Sequence, residues 1–129
     1  MKSFDDRTLE FKGKHLDIPL ISNLTGIDKI TLSKLRKKSS QFTNEELYKI
    51  SFHVMNVYVV EHKKNIDSPD WEYVLVAVHN LLMEYYIENY GAITVDLVSI
   101  LMPIMFAGDV QDGNLVHKPN GGFFNPNEN

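Results

Sequence analysis

Cysteine is absent from this 129-residue chain, which rules out disulfides and thiolate metal sites. A fold without such staples must rest on its apolar core. With 43% apolar residues the chain is long enough for one sizeable core and too short for two ordinary domains. The lack of cysteine also fits a reducing, cytoplasmic setting. Long hydrophobic runs are missing as well. The start, Met1 to Asp6, has no apolar signal-peptide centre. The richest stretch, Val95 to Phe106, is shorter than the ~20 apolar residues of a bilayer span and contains Asp96 and Pro103. Neither secretion nor membrane insertion is expected.

Catalytic signatures are lacking too. There is no glycine-rich phosphate loop, nucleophile elbow or paired-acid pattern, so the chain is not expected to be an enzyme. His79, Glu84 and Glu88 share a helical stretch, but no two histidines have ligand spacing, and neither metal nor cofactor is expected there. Asp109, Asp112 and Gly113 resemble part of a calcium loop without its later bidentate glutamate; a turn is the better reading. Tyr85, Tyr86 and Tyr90 could stack on bases, but they fall in the acidic half, and core or interface accounts for them better.

Positive charge is scarce in one half only. Residues 65–129 hold Lys118 alone against nine acids, a net −8; residues 1–64 hold twelve Lys/Arg against eight acids, a net +4. The overall −4 argues against nucleic acid, and its distribution reverses that impression. From Lys29 to Lys38 there are five basic residues and no acid, a stripe that concentrates positive potential where phosphates would lie. A solvated helix end stabilised by its own dipole is the plainer explanation of the stripe taken alone.

The stripe does not stand alone. Ile18 to Lys38 reads as two short helices pivoting about Gly26, where a residue with a Cβ would resist the conformation that ends a helix. Asp28 is placed to cap the second helix. Leu20, Ile21 and Leu24 line one face before the turn, Ile27 fills it, and Leu32 and Leu35 line the facing side after it. Small Ser22 lies where two steeply crossing helices approach closely. The layout is that of a helix-turn-helix.

Ile21-Ser22-Asn23-Leu24-Thr25-Gly26-Ile27 followed by Thr31-Leu32-Ser33-Lys34-Leu35-Arg36 resembles the DNA-binding core of lambda-repressor-like (XRE-type) regulators of bacteria and phages. The similarity continues weakly through Thr43 to His53 and covers well under half of the chain. Such regulators begin with a helix packed across the motif. Here Arg7 to Ile18 reads better as a small β-hairpin, with Leu9 and Phe11, then Leu16 and Ile18, alternating around Lys12-Gly13-Lys14.

The resemblance implies a second helix lying in the major groove. Its outward residues are then candidates: Lys29, Ile30, Ser33 and Lys34 for base edges, with Ile30 against a thymine methyl, and Arg36, Lys37 and Lys38 for phosphates. Thr31 suits either a local helix hydroxyl or a contact. Operator binding calls for two half-sites and hence a homodimer.

Further helices follow. Thr43-Asn44-Glu45-Glu46 is a capping box opening a helix to about His62, with Leu47, Ile50, Val54, Val57 and Val60 or Glu61 along one face; Val57 to Val60 alone is rich enough in β-branching for a strand. Ser68-Pro69 opens a helix that Gly91 stops after Tyr90. Thr94 starts another, Val95 to Phe106, which Pro103 kinks or ends. Both are apolar on more than one face. Trp71, Val78, Leu82, Tyr86 and Leu101 are therefore candidates for a dimer interface, and packing within one monomer serves them equally. Gly108 to Asn129 reads as turns and a mobile tail.

The expectation is a mainly α protein, with a helix-turn-helix module over residues 1–64, a helical core and oligomerisation extension over 65–107, and a tail over 108–129. It would act as a cytoplasmic, dimeric, sequence-specific transcriptional regulator on double-stranded DNA. The rival is a phage-type inhibitor or antirepressor whose acidic second half binds a nucleic-acid-handling protein.

Overall fold

The computed structural model describes residues 16–37, 41–62, 69–113, 116–117 and 123–124. It is mainly helical. Among the described residues six helices run in order: α1 (Ile18–Thr25), α2 (Lys29–Lys34), α3 (Asn44–His62), α4 (Pro69–Tyr90), α5 (Val95–Met105) and α6 (Ala107–Gln111). A two-stranded antiparallel ladder follows, β1 (Val116–His117) with β2 (Phe123–Phe124), in the register Val116 to Phe124.

The helix ends obey local chemistry. The Thr43 hydroxyl accepts the Glu46 N–H at 3.1 Å while the Glu46 carboxylate accepts the Thr43 N–H at 3.0 Å, so the capping box forms as read. Gly91 ends α4 at φ 76°. The Thr94 hydroxyl accepts the Leu97 N–H and so caps α5. Val57 to Val60 is helix, not strand. Three readings need correction. Leu16 and Asp17 are not strand, and Ile18 begins α1 instead of ending a hairpin, because the Asp17 carboxylate accepts the Leu20 N–H at 3.1 Å and Pro19 suits a first turn; residues 7–15 of the expected hairpin lie outside the described residues. Residues 107–111 form α6, and the ladder follows it, where only turns and tail were expected. The buried face of α3 is Leu47, Ser51, Val54, Met55 and Tyr58, while Val60 is exposed.

α3 and α4 form the middle layer. α1 packs on both, and so does α5, whose broadest contact is with α3. The two outer helices occupy opposite sides of α3. Ser51 bonds α5 and His53 bonds α1, and residues two apart on a helix point about 200° apart. The same holds for α4, where Tyr73 reaches the start of α1 and Tyr86 the start of α5.

One apolar core joins Ile21, Leu32, Leu47 and Val54 to Trp71, Leu82, Leu97 and Ile104, crossing residue 64 without a break. Tyr58 and Trp71 meet edge to face at 5.7 Å between α3 and α4. Pro103 sits inside α5, where it removes one helical N–H. The neighbouring Ile104 N–H bonds the fully buried Ser51 hydroxyl at 3.3 Å, which ties α5 to α3 beside the proline.

Candidate nucleic-acid interface

The turn between α1 and α2 is fixed by three residues. Gly26 takes φ 77°, the left-handed conformation that closes a helix, and its N–H bonds the Ser22 carbonyl at 2.8 Å. Its reason for being glycine is the backbone angle, not space: a Cβ would meet only the His53 ring, at 3.9 Å. The buried Thr25 hydroxyl donates to the Ile21 carbonyl at 2.6 Å and accepts the Ile27 N–H at 3.2 Å. From α3, His53 Nε2 lies 2.6 Å from the Thr25 carbonyl oxygen; a carbonyl only accepts, so Nε2 carries the proton. The end of α1 is thus held from below.

Asp28 then starts α2. Its carboxylate accepts the Thr31 N–H at 2.7 Å and the Thr31 hydroxyl at 3.0 Å. These bonds, backbone first, hold the Asp28 carboxyl below its ordinary range, with a smaller contribution from the Lys34 cation. Thr31 is thereby committed locally and is not a free contact. The acid beside the basic stripe is likewise occupied as a cap.

α2 divides sharply. Leu32 and, just past its end, Leu35 are buried against the core. Lys29, Ile30, Lys34, Arg36 and Lys37 are exposed, with Ser33 half-buried among them. Ile30 keeps 69% of its surface in solvent, an unusual position for a β-branched side chain with a core nearby. Among the described residues Lys29, Arg36 and Lys37 form no ion pair. Two surface recesses flank the helix. One is lined by Pro19, Leu20, Ser22, Asn23 and Lys29, the other by Ile18, Ser33, Arg36 and Lys37. Of the base-edge and phosphate candidates, Lys29 lines one recess, Ser33, Arg36 and Lys37 line the other, Ile30 and Lys34 line neither, and Lys38 lies outside the described residues. Ser33 sits with the cations Arg36 and Lys37, and Asn23 joins Lys29 across the turn.

The proposed dimer residues fare differently. Trp71, Val78, Leu82, Tyr86 and Leu101 are each at most 5% exposed inside a single chain. Of the two alternatives the sequence left open for them, packing within one chain is the one observed and a dimer interface at these five residues is not: α4 is apolar nearly all round because α1, α3 and α5 all pack on it.

Four supporting side chains carry no signal in the sequence. The Tyr73 hydroxyl accepts the Asp17 N–H at 2.9 Å and so holds the entry to α1. Tyr85 accepts the Phe42 N–H at 2.8 Å and meets the Phe42 ring edge to face, anchoring the segment between α2 and α3. Tyr86 and Thr94 share a hydroxyl bond of 2.6 Å. With His53, these contacts bridge 8 to 56 positions of chain, and no local pattern announces them.

Among the described residues no cluster of His, Asp and Glu could hold a metal, and His79 bonds its neighbour Asn80 instead. No described helix is long and apolar enough to cross a membrane. Comparison with known protein families, curated proteins and solved structures finds no match.

Proposed function

We propose that this chain is a sequence-specific DNA-binding regulator of the XRE type, reading duplex DNA with the outward face of α2. The observation that carries the reading is that face: exposed cations and one exposed isoleucine in and just past a short helix that an aspartate caps, behind a glycine turn that His53 braces. A helix in this position offers its first turn to base edges and its flanks to phosphates. Lys29, Ile30 and Lys34 read bases. Arg36 and Lys37, with Lys38 next in sequence, hold backbone phosphate. Regulation follows from occupancy, a bound pair blocking or recruiting polymerase in the cytoplasm of a bacterium or in a phage-infected cell. No catalysis, metal or cofactor enters.

The test is a mobility shift with the DNA upstream of the chain's own gene at two salt concentrations. Retardation that weakens with salt is expected. Lys34→Ala should lower affinity and relax sequence preference; a loss uniform over all sequences makes Lys34 a phosphate contact instead.

One observation favours a second reading. Glu72, Glu88, Asp96, Asp109 and Asp112 are all exposed, an acidic surface suited to a basic site on a nucleic-acid-handling protein, as in an inhibitor or antirepressor. Failure to retard any duplex, together with a retained protein partner, would favour this reading.

A further inference from the structure

We infer that the outward face of α5 is a seam through which two copies of this chain pair antiparallel. Among the described residues, α5 and the chain leading into it from Tyr90 hold five of the seven exposed large apolar side chains. Val95 is 82% exposed, Val98 47% and Met105 54%, with Ile93 at 71% in the lead-in and Tyr90 at 52% before it. Met102 is half-buried between them. Positions 95, 98, 102 and 105 fall within an arc of about 80° on a helix. They form one continuous apolar stripe, while the opposite side of α5 is the part already buried in the core. A contiguous apolar patch rimmed by polar residues marks an interaction surface.

The order of residues along the stripe selects the occupant. Read from its start it is Val95, Val98, Met102, Met105. When two such helices pack antiparallel about a two-fold axis, Val95 of either copy meets Met105 of the other, and Val98 meets Met102. Each short branched side chain then lies opposite a long adaptable one, so a single contact type is repeated along the whole seam. Charge agrees with this direction. Asp96 is the one ionisable residue of α5, and antiparallel packing sets the two copies of it ~12 Å apart along the axis, beyond the ~8 Å screening length; parallel packing would bring them together.

Area sets the strength. An eleven-residue helix is only ~16 Å long, so the seam buries less than the ~800 Å² per partner of a stable interface. The pair is therefore weak and dependent on concentration. α1, on which α2 packs, and α5 lie on opposite sides of α3, so pairing through α5 leaves α2 uncovered. The need for two half-sites rests on the proposed DNA reading; the seam itself does not. Its test contains no DNA, so the two ideas can fail separately.

Sedimentation equilibrium of the full chain should show a mass rising from that of one chain toward twice that value as concentration goes from roughly 1 µM to several hundred µM, the range of a weak interface. Val98→Asp should hold the single-chain mass throughout with an unchanged helical spectrum, because the position is exposed. Ile30→Asp, on α2, should associate like the parent. Direction is checked by cross-linking, which the lack of native cysteine makes clean. Mild oxidation of mixed Val95→Cys and Met105→Cys chains should give disulfide-linked heterodimers, and Val95→Cys alone should give far fewer. A single-chain mass at every concentration would overturn the seam and leave the stripe to a different protein. Association unaffected by Val98→Asp, or efficient linking of Val95→Cys to itself, would overturn it equally.

Discussion

α2 and α5 are both surface helices, α2 packed on α1 and α5 on the α3/α4 layer, and they spend their outward faces in opposite ways. α2 has six residues, buries Leu32 from its own turns, and turns lysines to solvent. α5 has eleven, buries Leu97, Ile100, Leu101 and Ile104, and still shows valine and methionine outside. Burial alone explains each inner face and neither outer one. Among the described residues, exposed charge outside any ion pair at Lys29, Arg36 and Lys37, and exposed apolar surface on α5, are what folding leaves over. Those leftovers are where recognition is to be sought.

The contrast breaks most visibly if inward and outward positions are not energetically distinct. Leu32→Ala empties a fully buried site and should cost about 2–5 kcal/mol in denaturant unfolding. Val98→Ala on the outer face of α5 should stay within about 0.5 kcal/mol. Equal effects would mean that the two faces are misassigned. A smaller change concerns how α5 is held. Ser51→Ala removes the buried hydroxyl that accepts the Ile104 N–H and should cost about 1 kcal/mol, read in the same unfolding experiment.

Acidification gives the smallest effect. Asp28 and Glu46 are both held below their ordinary values of 3.8 and 4.5, chiefly by backbone N–H groups of Thr31 and Thr43. A depressed carboxyl contributes stability that is complete above the ordinary value and is lost as pH falls through the lowered one. Amide chemical shifts at Thr31 and Thr43 should therefore titrate below those values, and Asp28→Asn should abolish the inflection at Thr31 alone. Both carboxylates are fully exposed, so the loss is local fraying of α2 and α3 and not global unfolding.

What the residues announced in advance was local. Gly26, Asp28, the Thr43–Glu46 box and Gly91 each act within four positions of chain, and each is found where its chemistry demands. What escaped was long-range. Tyr73, Tyr85 and His53 act across gaps of 28 to 56 residues, and a tyrosine in an apolar helix carries no sign of which N–H it will meet. The misassigned interface has the same origin. An all-round apolar helix must have several neighbours, but sequence does not say whether they come from the same chain; here they do, for Trp71 through Tyr86. The exposed stripe of α5 was hidden because its valines and methionines look like those of a core. Which residues of α2 face outward was readable because a six-residue helix beside a glycine turn has one way to bury Leu32.

The salt dependence of duplex binding reaches the central claim most directly. Anisotropy titrations of a fluorescent operator duplex across a salt series should give a log–log slope of roughly −0.9 per phosphate neutralised. Removing two of the proposed phosphate cations just past the end of α2, as Arg36→Ala with Lys37→Ala, should make that slope shallower by up to roughly 1.8 while the fold and its melting temperature stay unchanged. Binding with an unaltered slope, or no binding by the parent chain at any salt, would contradict the account.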